Sequence, residues 1–291
     1  MRVFLTGATG FVGTAVRHAL VRDGHQVVGF ARHVPAAEEG VTWVSGSVGQ
    51  LDTLLDAMDG SQAVVHLVGI IREHGEQTFT RVHVQGTEQV LSAMRRLHIT
   101  RLLHMSALGA APKAPTGYLR TKWEAEEAVR GAGVDYTIFR PSIIFGPGDG
   151  FISLLAQQLR RWPVTPVIGN GQYAFSLISI DAVASAFVQA LQLNGPTLCK
   201  AFELCGPETL TYAQILAILA EQLRIRKPRV HIPVALVTVA ARLAQGLRLP
   251  SPITLDELTM LTQGSTCLQT NSRQIFVLPQ ITLREGIRTY L

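Results

Sequence analysis

Cysteine is scarce: Cys199, Cys205 and Cys267 are the three in 291 residues, and no two form a CxxC pair. That spacing argues against a zinc ribbon, offers no disulfide framework and fits a reducing compartment. Charged residues make up only 16% and aromatic residues 7%, against 47% hydrophobic residues. An extended disordered chain is thereby excluded, because the composition can fill a large core. No uncharged apolar run reaches the ~20 residues that cross a bilayer. No signal-peptide pattern precedes the first strand-like run, which starts at position 2. Internal repeats and low-complexity segments are missing as well. The compartment expected is the cytoplasm or an organellar matrix, with a peripheral place at a membrane left open. Positive charge exceeds negative by 5, with 26 Lys and Arg against 21 Asp and Glu. It is scattered, apart from the patch Arg224, Arg226, Lys227 and Arg229, and no aromatics interleave with it. A nucleic-acid partner is therefore not expected.

What is present is concentrated in the first thirteen residues, MRVFLTGATGFVG. Val3, Phe4 and Leu5 read as a buried parallel strand, and Ala15 to Val21 as a helix. Between them lies Thr6-Gly7-Ala8-Thr9-Gly10-Phe11-Val12-Gly13. A strand passing through three spaced glycines into a helix is a phosphate-binding turn. Gly7 permits the turn, Gly10 lets backbone approach a pyrophosphate, and Gly13 lets the helix pack closely on the strand.

The remaining chain tests that reading. Residues 25–31 form a second strand, which ends in Phe30-Ala31-Arg32-His33 rather than in an acidic residue. Arg32 can receive a 2′-phosphate on its guanidinium fork, so NADP(H) is favoured over NAD(H); the plainer reading is a solvated loop arginine. A third strand, 41–45, leads to Gly46-Ser47-Val48, where the adenine edge could lie. Further strands are expected at 63–68, followed by Gly69, and at 101–105, ending at Ser106. Helices are expected at 51–58 and 80–97. Strands alternating with helices give an α/β, doubly wound parallel sheet of Rossmann type, with its ligand at the carboxyl ends of the strands. After a loop rich in Gly, Pro and Ala, a helix opens at Tyr118 and runs to about 130. Tyr118 and Lys122 are four apart and so share a face. On any helix that is an ordinary surface pair; directly after the fifth strand of a nucleotide-binding sheet it is a catalytic candidate. A sixth strand, 135–139, leads into Arg140-Pro141-Ser142-Ile143, whose backbone could carry the nicotinamide amide.

Past residue 150 the periodicity becomes irregular. The expected organisation is a dinucleotide-binding domain at 1–150, rejoined by about 179–206, and a smaller, mostly helical substrate- or partner-covering region within 151–291. Nine histidines show no metal-ligand spacing; His66 and His104 read as satisfied core histidines, and no metal is expected. Asp149 and Asp181 read as loop and cap residues before substrate contacts. Residues 233–249 carry Thr238, Arg242 and Gln245 as a narrow polar stripe on an otherwise apolar helix. Core packing is the plain reading. The alternative is a peripheral contact through 224–249 with a membrane or a membrane complex, or with a long apolar substrate.

TGATGFVG, Tyr118-xxx-Lys122 and RPSIIFGPGD together resemble the short-chain dehydrogenase/reductase superfamily, in its extended and atypical branches. VHLVGIIRE, VHVQGTEQVL, HMSALGA and YLRTKWEAE are more narrowly similar to the nucleotide-binding accessory subunit of respiratory complex I and its bacterial relatives. The first resemblance implies that Gly7, Thr9, Gly10, Phe11, Val12 and Gly13 hold the pyrophosphate. It implies that Leu67, Val68 and Gly69 line the adenosine and its ribose. It makes Tyr118 the proton donor or acceptor, with Lys122 holding the nicotinamide ribose and depressing the tyrosine pKa, and Ser106 polarising a substrate carbonyl. Three positions depart from the pattern: His83 where many members carry Asn, Ala107 where some carry the catalytic hydroxyl, and Ser47 in place of a frequent Asp. Three functions follow as expectations. The first is an NADP(H) oxidoreductase acting on a small or lipophilic carbonyl or alcohol; the second is a non-catalytic accessory or assembly subunit. The third, a nucleotide-sugar epimerase or dehydratase, would draw Arg160, Arg161 and Trp162 into a second nucleotide pocket, although they look more like a helix end.

Overall fold

Val3, Phe4 and Leu5 are wholly buried, as a continuous apolar run is when both faces of a parallel sheet are covered. The computed structural model describes residues 1–193, 195–247, 253–269 and 271–291. In chain order it begins with β1 (Arg2–Thr6), α1 (Phe11–Arg22), β2 (Gln26–Ala31), β3 (Val41–Ser45), α2 (Leu51–Met58) and β4 (Ala63–His66). A π-helical turn (Thr80–Gln85) runs into α3 (Gly86–Arg96), followed by β5 (Arg101–Met105), α4 (Gly117–Gly131) and β6 (Asp135–Pro141). Next come β7 (Ile144–Phe145), α5 (Phe151–Arg161), β8 (Thr165–Ile168), β9 (Ala174–Phe175), β10 (Ile178–Ser179), α6 (Ile180–Gln192) and β11 (Lys200–Leu204). The last elements are β12 (Leu210–Thr211), α7 (Tyr212–Gln222), β13 (Arg229–Ile232), α8 (Val234–Gly246), α9 (Leu255–Gln263), α10 (Asn271–Ile275) and α11 (Leu283–Ile287).

These elements form two units. The first comprises Met1–Pro141, Ile180–Leu204 and Leu268–Pro279. Its sheet has seven strands among the described residues, in the order β11-β6-β5-β4-β1-β2-β3. Every pairing in it is parallel. The order reverses between β1 and β4, which puts the topological switch point at their carboxyl ends, beside Gly7 and Leu67. On one face lies a core of Phe4, Phe30, Leu54, Met58, Val90, Met94 and Leu102 with its neighbours. The doubly wound parallel sheet expected from the sequence is thus the fold of this unit.

The second unit comprises Ser142–Ser179, Cys205–Cys267 and Gln280–Leu291. Its core gathers Phe145, Ile152, Leu159, Phe175, Tyr212, Leu216, Leu261 and Ile287. Among the described residues three two-stranded pairings accompany the helices: β10 with β7, β12 with β9 and β13 with β8.

Several expectations change. The helix expected over 80–97 opens instead as the π-helical turn, and β4 stops at His66, leaving Leu67 and Val68 in the following loop. Cys205 and Cys267, 62 residues apart, are disulfide-bonded within the second unit, while Cys199 is free and exposed. The cysteine count therefore carries no argument for a reducing compartment. Spacing along the chain could not show the pairing, because β12, α7, β13, α8 and α9 all intervene between the partners. No helix among the described residues is long and apolar enough to cross a membrane.

Candidate functional site

The expected cofactor-binding and catalytic residues, Ile143 excepted, fall in the first unit, most of them where the carboxyl ends of β1, β4 and β5 meet the starts of α1 and α4. Gly7 takes φ +70°, and a Cβ there would sit 3.1 Å from the Val68 nitrogen. Gly10 donates its N–H to the Gly7 carbonyl at 3.0 Å. A Cβ on Gly13 would run into that same carbonyl, which explains the third glycine. Gly10 caps α1 without any side-chain hydrogen bond, so no side chain competes for the first-turn amides of Phe11, Val12 and Gly13. Open amides at a helix start behind a glycine turn fit a pyrophosphate. Thr9 is exposed on the turn and Phe11 half-buried beside it. Arg17, a residue that sequence reasoning missed, braces this turn from below. The residue is 7% exposed, and its guanidinium donates to the Ala8 carbonyl at 2.6 Å and pairs with Glu38 at 3.0 Å. It also lies 4.9 Å over the Trp43 ring.

On the adenosine side, Arg32 is exposed just past the end of β2, its carbonyl accepting from the Ser45 hydroxyl. Val48 is buried in the core against Gly86, which leaves its backbone for any ligand contact. Leu67 is buried, Val68 half-buried and Gly69 exposed. A Cβ on Gly69 would stand 3.1 Å from Lys122 Nζ and 3.5 Å from His83 Nε2, so this glycine keeps a path open toward the lysine.

At the other end of the switch region, Ser106 closes β5. Its backbone N–H donates to Phe139 O at 2.7 Å, but its hydroxyl, on a residue 2% exposed, has no hydrogen-bond partner. A buried hydroxyl without a partner costs roughly 1–3 kcal/mol, so this one is left uncommitted by the fold. Lys122, also 2% exposed, donates from Nζ to the carbonyl of Met105, the residue before Ser106, at 2.9 Å. Burial brings its pKa down to about 8, and the charge of Glu126 works against that fall. Tyr118 sits one turn earlier on α4, its ring edge-on to His83 at 5.6 Å and to Phe79 at 5.9 Å. Its phenol is pushed up to about 12 by burial. Desolvation by burial is the cause of that rise, and no charge of Lys122 enters it.

Glu126 carries the spacing of Tyr118 and Lys122 one turn further, and it was missed. Its carboxylate is wholly buried, taking two bonds from Arg140 at 2.8 and 2.6 Å and one from Arg130 at 2.8 Å. The i, i+4, i+8 repeat of Tyr, Lys and Glu on one helix was the available signal. Arg140 in turn ties α4 to β6, whose last residue, Pro141, is buried and accepts from Leu108 N at 3.0 Å. Ile143 follows in the second unit, half-buried at the edge of that unit's core.

His83 occupies the π-helical turn, and its tautomer follows from its partners. The Ile70 amide can only donate, so Nε2 accepts at 3.1 Å. Nδ1 therefore carries the proton and donates to Thr121 Oγ1 at 2.9 Å. Burial first, and then the charge of Lys122, holds this imidazole neutral with a pKa of about 3. A second chain runs behind it. Leu67 N donates to Thr6 Oγ1, which donates to His66 Nδ1 at 2.7 Å. His66 Nε2 then donates to Thr87 Oγ1 at 3.0 Å, because the Thr87 hydrogen is spent on the His83 carbonyl at 2.6 Å. His66 is thus a satisfied core histidine, as expected. His104 is not: buried and stacked on His66 at 5.4 Å, it has neither ring nitrogen bonded.

Other candidates resolve as structural. Asp149 accepts from Ser153 N, Gly146 N and the Tyr290 hydroxyl, tying a turn to the C-terminal segment within the second unit. Arg160, Arg161 and Trp162 close α5, and Lys227 caps that end by donating to the carbonyls of Leu159, Arg160 and Trp162.

The family profile described as NAD dependent epimerase/dehydratase matches residues 3–198. The mitochondrial NADH dehydrogenase [ubiquinone] 1 alpha subcomplex subunit 9 of Arabidopsis thaliana is 28% identical over 88% of this chain and 68% of its own longer one. A 2-alkyl-3-oxoalkanoate reductase of Stenotrophomonas maltophilia is 27% identical over 99% of this chain and 98% of its own. In fold, a UDP-glucuronic acid 4-epimerase from Bacillus cereus, solved with UDP-glucuronic acid and NAD, superposes with a TM-score of 0.81 at 16% identity, covering 99% of this chain and 97% of that one. With the glycine turn, the Tyr118–Lys122 helix and the sheet order all in place, the chain belongs to the NAD dependent epimerase/dehydratase family, the extended branch of the short-chain dehydrogenases/reductases.

Proposed function

We propose that this protein is an NADP(H)-dependent reductase of a small or lipophilic carbonyl compound. The observation that carries the proposal is the buried, unpartnered Ser106 hydroxyl, next to the Met105 carbonyl on which Lys122 is anchored. Bound nicotinamide supplies the hydride. Ser106 donates a hydrogen bond to the substrate carbonyl oxygen, and Tyr118 delivers the proton that this oxygen takes up. Lys122 holds the cofactor's ribose with the two hydrogens not given to Met105.

Burial raises the Tyr118 pKa to about 12, so the phenol carries the proton that a donor in carbonyl reduction must supply. The preference for NADP(H) rests on Arg32, exposed where an acidic residue would select NAD(H). A lipophilic substrate accords with the full-length similarity to a reductase of 2-alkyl-3-oxoalkanoates.

The similarity to a complex I subunit supports a second reading, a non-catalytic accessory subunit. One experiment separates the two. Nucleotide is released by denaturation from purified protein and identified, and the holoprotein is then followed by single-turnover absorbance against 3-oxoacyl, quinone and steroid ketones. Oxidation of bound NADPH by one class, abolished in Tyr118→Phe, supports the reductase. NADPH that stays reduced against the whole panel refutes it and leaves the accessory reading, and a chain that neither carries nor takes up nucleotide refutes both.

A further inference from the structure

Helix α8 faces the wrong way for a core helix. The plain reading of residues 233–249 buries their apolar face, yet Ala241 is the one buried residue on α8, whereas α5 buries Ile152, Leu155, Ala156 and Leu159. Leu236, Val239, Leu243 and Leu247 are 61%, 52%, 61% and 68% exposed. At 100° per residue these four fall within about 80° of one another, opposite Ala241. Residues 248 and 249, the end of the stretch singled out from the sequence, lie outside the described residues.

The stretch leading into this stripe is charged with one sign only. From Arg224 to Leu247 there is no Asp or Glu, while Arg224, Arg226, Arg229 and Arg242 all stand exposed. Among the described residues no carboxylate pairs with any of these four. Lys227 is the exception in the patch: its ammonium is spent on capping α5. That cap ties Trp162, itself 41% exposed, to the basic loop. Val230 on the adjoining β13 is 43% exposed.

We infer that α8 and the loop before it form a docking surface for an anionic phospholipid bilayer. In this arrangement α8 lies in the plane of the interface, its leucines among the acyl chains and the arginines at the phosphates, with Trp162 at headgroup level. A second copy of this chain fits less well. A two-fold contact through α8 would bring unpaired arginines against unpaired arginines, with no carboxylate between Arg224 and Leu247 to receive them. The inference is independent of the cofactor and of the proposed reaction.

The test is flotation of the full chain with vesicles of phosphatidylcholine alone and of phosphatidylcholine mixed with phosphatidylglycerol, at low and high salt. Binding is expected to the anionic vesicles at low salt. It should fall about fivefold for each of Arg224→Gln and Arg226→Gln, and more than about tenfold in the double variant Leu236→Glu/Leu243→Glu. Thermal unfolding of each variant verifies its fold, and should the leucine variant misfold, the arginine variants and the salt series decide. Absence of flotation with anionic vesicles at low salt overturns the inference, as does flotation that the folded leucine variant or both arginine variants leave unchanged. A dimer by light scattering that the leucine variant splits into monomers, without vesicle binding by either, assigns the face to a second copy and overturns it too.

Discussion

Replacing Lys122 by methionine keeps the length of the side chain and removes its charge, and the structure sets what this does to stability. The buried ammonium has a pKa of about 8, down from 10.5. Each pKa unit corresponds to about 1.36 kcal/mol, so carrying that charge at neutral pH costs the fold about 3 kcal/mol. Between those two pKa values the unfolded chain holds the proton and the folded chain does not. Stability contributed by this group therefore rises with pH in that window and is lost as pH falls. From about pH 7.5 to about 9.5 the wild type should gain about 2 kcal/mol that Lys122→Met does not, or roughly 4–8 °C in melting temperature. At neutral pH the variant sheds the charge-burial cost but also loses the Nζ bond to Met105, so its absolute stability should change little. Calorimetric scans of both proteins across that range, in the absence of nucleotide, provide the assay. The transition to follow is the one that added NADP shifts. Using the difference between the two proteins cancels the titration of other groups. Parallel curves would refute the reasoning, because they would mean that Lys122 titrates as an exposed lysine does.

Three more outcomes follow from the same geometry. Glu126→Gln removes the buried carboxylate that Arg140 and Arg130 share, and should cost about 3–5 kcal/mol by leaving Arg140 unpaired. It also withdraws the charge that holds up the Lys122 pKa, so the alkaline loss of activity should begin at lower pH; a pH–rate profile with an unmoved alkaline limb would break that link. Gly13→Ala drives a methyl group into the Gly7 carbonyl and should abolish nucleotide binding by titration calorimetry while lowering stability by at least about 1–3 kcal/mol. Reduction of the Cys205–Cys267 bond, or Cys205→Ser, opens a 62-residue link and should cost the second unit about 4 kcal/mol on the chain-entropy account. Melting curves with and without reductant that coincide would contradict that figure.

The dinucleotide-binding half was legible because its signals are local. A five-residue strand buried from its second residue on, three glycines and a helix start lie within thirteen consecutive positions, and backbone sterics leave few other uses for that order. Tyr118 and Lys122 were readable for the same reason, since four residues is one helical turn. The parallel sheet followed from alternation of strand and helix periods, each set by the side chains of a single segment.

What the tertiary structure alone decided involves partners far apart in sequence, or the direction in which a face points. Glu126 finds Arg140 only because β6 passes behind α4. The neutral tautomer of His83 depends on Ile70 and Thr121, brought together where the helix widens into a π-helical turn. The Tyr118 pKa reflects how dry its surroundings are, which no residue spacing encodes. Cys205 meets Cys267 across 62 residues. The apolar stripe on α8 was visible as a pattern, but a helical period says only that one face is apolar. Which face turns inward depends on what the rest of the chain offers to cover it, and here the cover reaches Ala241 and leaves Leu236, Leu243 and Leu247 outside.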